Sequence, residues 1–354
     1  MSAVSELISR NEMSKTQFVK DLHEGERVDD LFLVKSSRLA ETRAGKPYLQ
    51  LSVMDRSGEI NGPIWERAEE LAPHCQSGSF IRLQGLVQSY RQQLQLKIDS
   101  LQPWPREEVC FADFVPSCSK DREEMAGQLQ ELVRSVDNPF LRKLLRRFMK
   151  REPMWQRFQE SPAAKGIHHA YLGGLLEHSL SVAVLADTIS THYAGVDRSL
   201  LIAGALLHDV GKVEELEMDL ALIDYTPRGR LKGHLVMGSE MVAGEAARIK
   251  DFPTELLEQL QHLILSHHGR QDFGSPIVPM TIEAFLLSFL DDLDAKMNLM
   301  EQLRTKMTDS GLQWTEYQRS LERFLYLSPI PVEEERSEKP ERQVASAGRQ
   351  QTLF

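Results

Sequence analysis

The apolar residues of this chain change their period once, near residue 103, and no single layer of structure satisfies both halves. Before that point they alternate. Leu49, Leu51 and Val53 are separated by Gln50 and Ser52, and Leu94, Leu96 and Ile98 by Gln95 and Lys97. Period two gives a strand one buried and one wet face. Beyond Pro103, Pro105 and Pro116 the spacing becomes helical for about two hundred residues, with helices predicted over 175–193, 200–208, 254–267 and 281–308. The run LLIAGALL (200–207) is apolar nearly all round, which puts that helix at the centre of a bundle. A chain of 354 residues, 41% of them hydrophobic, is long enough to bury two such cores.

Within the first half, Ser79 to Tyr90 reads as another strand, with Gly85 at a bulge or bend. Turn chemistry lies at 56–58 (RSG) and 76–78 (QSG), and WERAEELAPH between them reads as one short helix. Five strands with a short helix after the third fit a small closed barrel, an OB-fold, with a generic small β-domain as the alternative. The expected class is therefore a multidomain α+β protein. Its barrel covers 15–106, a linker 107–119 and an all-α domain 120–328. Residues 329–354, rich in charge and proline, read as a disordered tail.

No apolar run approaches the roughly 18 residues that span a bilayer, and the first residues, MSAVSELISRNEMSK, hold no apolar signal core. Cys75, Cys110 and Cys118 make neither a disulfide framework nor a paired-thiolate zinc pattern. A cytoplasmic protein with no membrane partner is expected. The formal net charge of -10 argues against nucleic acid as a partner only while it is taken globally. Residues 15–106 carry 13 Lys+Arg against 12 Asp+Glu, and residues 120–328 carry 24 against 30. The acidity thus belongs to the helical half.

Nine of the eleven histidines fall between His168 and His268. Along the helical half they form an ordered series with acids: His178, His208-Asp209, His234, His267-His268 and Asp291. Any one alone is commonplace, and Asp291 in LSFLDDLDAK also fits a solvated helix face. Together, on separate helices whose packing can converge them, imidazoles and carboxylates without thiolate suit a divalent metal. Manganese or iron fits that donor set, and zinc remains open. His208-Asp209 closes an apolar helix and Gly211 follows, at the position of a left-handed helix cap.

His178, His208-Asp209 and Asp291 resemble the H…HD…D signature of HD-domain metal-dependent phosphohydrolases. His234 and His267-His268 resemble the extended set of members that hold two metals. More narrowly, HHAYLGGLLEHSLSVA (168–183), LLHDVGK (206–212), SHHG (266–269) and LDDLDAKM (290–297) resemble the YhaM-type 3′→5′ exoribonucleases, in which an OB-fold precedes the HD domain. The resemblance covers about residues 15–327 and departs at Ser288, where a histidine is expected, and after Arg91, where Gln92 replaces a small residue.

The resemblance implies one or two divalent ions, manganese favoured. His178, His208, Asp209 and Asp291 would hold the first, and Asp209 would bridge to a second completed by His234, His267 and His268. Lys212, one turn after the pair, either neutralises charge on the scissile phosphate or sits favourably at a helix end. His168 and His169, ahead of Gly173-Gly174, either touch phosphate or terminal ribose or pack at a helix start.

Contacts to a strand are expected from two places. On the barrel, Tyr48, Trp65 and Tyr90 are candidates to stack bases, with Arg82, Arg91 and Lys97 near the backbone. In the helical half, Arg142, Lys143, Arg146 and Arg147 begin a basic stripe that runs on through Lys150, Arg151 and Arg157. The terminal QQTLF, with Gln350, Leu353 and Phe354, resembles peptides that bind bacterial sliding clamps. The expected activity is metal-dependent 3′→5′ hydrolysis of single-stranded RNA, or of DNA, to nucleoside monophosphates. Two alternatives are a phosphohydrolase acting on a nucleotide or cyclic dinucleotide and a non-catalytic adaptor with a structural metal site.

Overall fold

The computed structural model describes residues 15–42, 45–90, 93–118, 120–166, 169–219, 222–305, 307 and 311–329. Five strands close into a barrel: β1 (Arg27–Glu41), β2 (Pro47–Asp55), β3 (Gly58–Asn61), β4 (Phe80–Tyr90) and β5 (Gln93–Trp104). Their order around the barrel is β1-β2-β3-β5-β4, and the closing β3–β5 pair is parallel while the others are antiparallel. Leu49, Leu51 and Val53 of β2 point inward with Phe32, Ile81, Leu83 and Leu96. The short helix α1 (Ala68–Leu71) follows β3. At Gly85 the β4–β5 register shifts, and a Cβ there would lie 2.5 Å from the Lys97 carbonyl oxygen. Leu94 departs from the expected alternation and is exposed, because it pairs with Ser89 near the tip of the β4–β5 hairpin.

The segment after β5 packs on the outside of this barrel. Val109 and Phe114 join Leu31, Leu33 and Phe80 in a second apolar cluster, so β1 is buried on both faces there. Buried Lys15 anchors the other side. Its backbone N donates to Asp113, and its ammonium lies 3.5 Å from the Phe32 ring centroid and from Asp55.

The helical half comprises α2 (Arg122–Ser135), α3 (Pro139–Lys150), α4 (Met154–Glu160), α5 (Gly174–His192), α6 (Arg198–Leu207), α7 (Lys212–Glu215), α8 (Pro227–Ala246), α9 (Thr254–Ser266) and α10 (Ile282–Thr305). Asp121, Asn138, Asp197 and Thr226 cap the starts of α2, α3, α6 and α8 with side-chain oxygens. Every residue of α6 from Ser199 to Leu207 is buried, so α6 is the axis around which the other helices pack. Between α7 and α8 the chain forms a hairpin, β6 (Leu216–Asp219) with β7 (Leu222–Tyr225), that helical periodicity did not anticipate. Leu222 packs against the barrel-side cluster of Leu31, Leu33 and Phe80.

The described chain divides into two compact units, one ending at Asn298 and the other starting at Leu299. The second contains the end of α10 and a small pair of strands, β8 (Gln313–Trp314) and β9 (Tyr326–Leu327). Residues 330–354 of the tail, with QQTLF, lie outside the described residues, as do Arg91 and His168. No helix among the described residues is long and apolar enough to cross a membrane.

Candidate metal centre

Five imidazoles converge from four helices. His178 lies in the second turn of α5, His208 is the C-cap of α6, and His267 is the C-cap of α9 with His268 next to it. His234 stands in α8 directly after Gly233, whose φ of 72° and ψ of 155° break the helix. That left-handed φ is one that glycine adopts without strain. The break gives His234 a different direction from the turn before it. Gly211 serves otherwise than as the expected left-handed cap. Its φ is -64°, and a Cβ there would lie 2.1 Å from the His234 carbonyl oxygen. The sequence needs glycine at 211 so that the turn carrying Asp209 can lie against the turn carrying His234.

Four of the five rings hydrogen-bond an oxygen through Nδ1, and the fifth, His234, has a carboxylate beside its Nδ1 without a hydrogen bond to it. For His208, His267 and His268 these are the carbonyls of Ala205, Ile264 and Phe273, at 2.8, 2.8 and 2.9 Å. For His178 and His234 they are carboxylates, Asp294 at 2.7 Å and Glu215 at 2.9 Å. A proton held on Nδ1 leaves the Nε2 lone pair directed into the site, the orientation that metal-binding histidines acquire from their outer partners.

Asp209 sits at the middle, with its two oxygens facing different rings. Oδ2 lies 3.6 Å from His178 Nε2 and 3.4 Å from His208 Nε2, while Oδ1 lies 3.6 Å from both His234 Nε2 and His267 Nε2. Asp291 approaches the first group, 3.0 Å from His178 Nε2 and 3.7 Å from His208 Nε2. Its neighbour Asp292 instead faces solvent and pairs with Lys296. The Nε2 atoms of His178 and His208 are 3.1 Å apart. His234, His267 and His268 form a second convergent trio.

Asp209 Oδ1 and both ring nitrogens of His234 are buried and have no hydrogen-bond partner among the described residues. A buried carboxylate oxygen without a donor is costly unless a cation completes it. The donor set and these orphaned atoms therefore fit divalent metal, and all seven residues of the expected series stand around one spot.

Charge in the centre is strongly coupled. Burial disfavours ionised Asp209, but Lys212 and the His208 imidazole outweigh it and hold its carboxyl well below the usual range. Asp291 is likewise held well below that range against burial, by His178 and His208. Burial would also drive the proton from His208, yet Asp209 and Asp291 reverse the effect and push its pKa up to about 10. His267 and His268 go the other way, lowered chiefly by burial. The Lys212 ammonium lies 2.6 Å from Asp209 Oδ2, at the start of α7 rather than at the end of a longer helix.

Two carboxylates escaped the sequence reading. Asp294 accepts from His178 and from the Ser181 hydroxyl, with His169 Nε2 at 3.8 Å. Its spacing of three from Asp291 puts both on one face of α10, a signal present in LDDLD. Glu215 accepts from the His234 backbone N at 3.0 Å as well as flanking its ring. His169 is buried, with its ring centroid 5.2 Å from that of His178 and its backbone N bonded to Asn298. Ser288, where a histidine was expected, packs beside Gly269, which follows His268.

The expected strand contacts divide. Tyr48 and Trp65 stack on each other at 4.8 Å on the barrel, with Trp65 51% exposed, so a flat aromatic face is presented to solvent rather than to the core. Tyr90 and Lys97 are exposed, whereas Arg82 is paired with Asp29 at 2.8 Å. In the basic stripe Arg147 and Arg151 hold buried Glu245 at 3.0 and 3.1 Å, and Arg142 caps the Val136 carbonyl. Lys143, Arg146 and Lys150 remain on the exposed face.

A barrel of the OB type followed by a helical domain with this histidine–aspartate cluster defines an OB-fold and HD-domain protein. The family model described as HD domain matches residues 175–296, and that described as OB-fold nucleic acid binding domain matches residues 33–104. The chain is 35% identical over 311 residues to the 3′-5′ exoribonuclease YhaM of Bacillus subtilis, covering 87% of this chain and 97% of that protein. It is 34% identical over 308 residues to the YhaM of a Geobacillus species, covering 86% and 93%. The chain belongs to the YhaM family.

Proposed function

We propose that this protein is a metal-dependent 3′→5′ exoribonuclease that removes nucleoside monophosphates from single-stranded RNA, with DNA as the alternative strand to be tested beside it. The observation that carries it is Asp209, a buried carboxylate whose two oxygens face two pairs of imidazoles, His178 with His208 and His234 with His267. In this reading His178, His208, Asp209 and Asp291 hold one ion, and Asp209, His234, His267 and His268 a second. Manganese suits the imidazole and carboxylate donors, with iron or zinc as competitors. The ions supply water activation and neutralisation of the charge that develops on the phosphoryl oxygens.

The remaining work falls to the chain. The Nδ1 hydrogen bonds of His178, His208, His267 and His268 hold those rings in one direction, and Glu215 lies beside the ring of His234. Lys212, beside Asp209, is set to draw a nonbridging phosphate oxygen toward the centre. His169, against His178, is set near the terminal nucleotide, with His168 preceding it. The barrel, residues 15–106, guides the strand over the Tyr48–Trp65 face with Tyr90, Arg82, Arg91 and Lys97. The linker 107–119 joins it to the cutting domain, residues 120–328, where Lys143 and Arg146 offer further phosphate contacts. The QQTLF end, through Gln350, Leu353 and Phe354, is proposed to reach a sliding clamp, and the setting is the cytoplasm.

The direct assay is 5′-labelled single-stranded RNA with manganese, magnesium or chelator. A ladder that shortens from the 3′ end with manganese and stops with chelator supports this reading. Hydrolysis confined to mononucleotides or cyclic dinucleotides would contradict it.

A further inference from the structure

Beside the metal centre the β6–β7 hairpin and the start of α8 border an open groove of about 600 Å³, lined by Lys165, Glu215, Tyr225, Arg230, Lys232 and Gly233 among others. Its wall is shared with the centre, because Glu215 touches both the ring and the backbone of His234. Gly233, where α8 breaks, is the residue immediately before that histidine. The far end of the same hairpin reaches the barrel. Leu222 packs in the cluster of Leu31, Leu33 and Phe80, and Asp219 pairs with Arg106 at 3.0 Å. The hairpin thus runs from the barrel to a candidate metal ligand.

The groove has the chemistry of a strand platform. Tyr225 is 38% exposed, with the Lys165 ammonium 5.5 Å and the Arg230 guanidinium 5.9 Å from its ring centroid. Both cations reach one oxygen, Asp224 Oδ1, at 2.8 and 2.9 Å. Lys232 pairs with Glu240 at 2.6 Å. An exposed aromatic face flanked by cations binds successive bases and phosphates of a single strand with little sequence preference.

Building on the exoribonuclease reading, we propose that this groove holds the single strand just upstream of the scissile bond. A base stacks on Tyr225, and phosphates lie on Lys165, Arg230 and Lys232. Asp224 is then an internal stand-in for phosphate. Its carboxylate holds both cations in place and must yield them when the strand arrives. Removing its charge should therefore tighten binding, a gain that loss of structure cannot imitate.

The test is fluorescence anisotropy of a short labelled single-stranded RNA with the full-length chain in EDTA, where no turnover consumes the strand. Tyr225→Ala is expected to weaken binding about tenfold. Lys165→Ala with Arg230→Ala should lower the slope of log affinity against log salt by about 1.4, at about 0.7 per lost single-strand phosphate contact. Asp224→Asn should bind RNA more tightly than wild type. A wild-type chain that binds no RNA overturns the groove. So does a Tyr225→Ala affinity within twofold of wild type, an unchanged salt slope, or weaker binding by Asp224→Asn. Manganese-dependent turnover of the wild type is measured separately. If turnover is missing while the binding changes appear, the exoribonuclease reading fails and the groove stands. If turnover is present with all affinities unchanged, the groove alone fails.

Discussion

Asp294 and Glu215 each hold one imidazole of the centre from outside, and they face opposite halves of it. Asp294 accepts a hydrogen bond from Nδ1 of His178 at 2.7 Å, and Glu215 lies 2.9 Å from Nδ1 of His234. Asp294→Asn keeps the shape and one acceptor oxygen but removes the charge that makes the bond strong. The loss of such an outer partner costs roughly ten- to a hundredfold in metal affinity, or about 1.4 to 2.7 kcal/mol. The conservative change belongs near the lower end, because an amide oxygen can still accept. The expected result is about a tenfold loss at the ion held by His178, His208 and Asp291. Glu215→Gln should produce a loss of similar size at the ion held by His234, His267 and His268. In each variant the opposite site should lose less than the targeted one, since the two are coupled through Asp209 and through the His208–His267 contact rather than through the altered carboxylate. Calorimetric titration of stripped protein with manganese resolves the two steps. Equal losses at both sites in both variants would refute the partition of ligands. No loss in either variant would refute the orienting role of the carboxylates.

Three further outcomes follow from the same geometry. Asp209→Ala should abolish turnover while leaving RNA binding measurable by anisotropy, because the barrel and groove do not use that carboxylate; normal turnover would remove the centre. His208, pushed up to about 10 by Asp209 and Asp291 against burial, carries its proton at pH 7 in metal-free protein, whereas His267 and His268 are lowered and neutral. Metal must displace the His208 proton, and His178 beside it is raised as well, against burial, by Asp291 and Asp294, so the first ion should release more protons at pH 7 than the second and weaken more as pH falls. Titrations in buffers of different ionisation enthalpy read this directly, and equal release by both ions would contradict it. Gly211→Ala places a Cβ 2.1 Å from the His234 carbonyl oxygen. It should destabilise the fold by about 1 to 3 kcal/mol and weaken the second ion, seen as a lower thermal midpoint and a lower manganese affinity; an unchanged midpoint would contradict the contact.

The fold was legible because two periods divide the chain and because buried and wetter residues alternate over 49–53 of β2. The ligand series was legible for a related reason. His208, His267 and His268 mark helix ends, and their residue types have few uses together. What stayed hidden depends on contacts between distant residues. Arg147 and Arg151 look like a free basic stripe until Glu245, 98 and 94 residues away, takes them. Glu215 has no local mark, since a four-residue helix and the break at Gly233 bring it to His234. The β6–β7 hairpin has only four residues per strand, too few for period two to stand out within helical surroundings. Asp294 was the one site residue whose signal, a spacing of three from Asp291, was present and passed over.

The most direct measurement is a manganese titration of stripped protein, following release of nucleoside monophosphate from the 3′ end of single-stranded RNA as each equivalent is added. Activity is expected to appear only as the second equivalent binds and to be missing at every equivalent in Asp209→Ala. Full activity at one equivalent, or activity that survives Asp209→Ala, would contradict a two-ion centre bridged by Asp209.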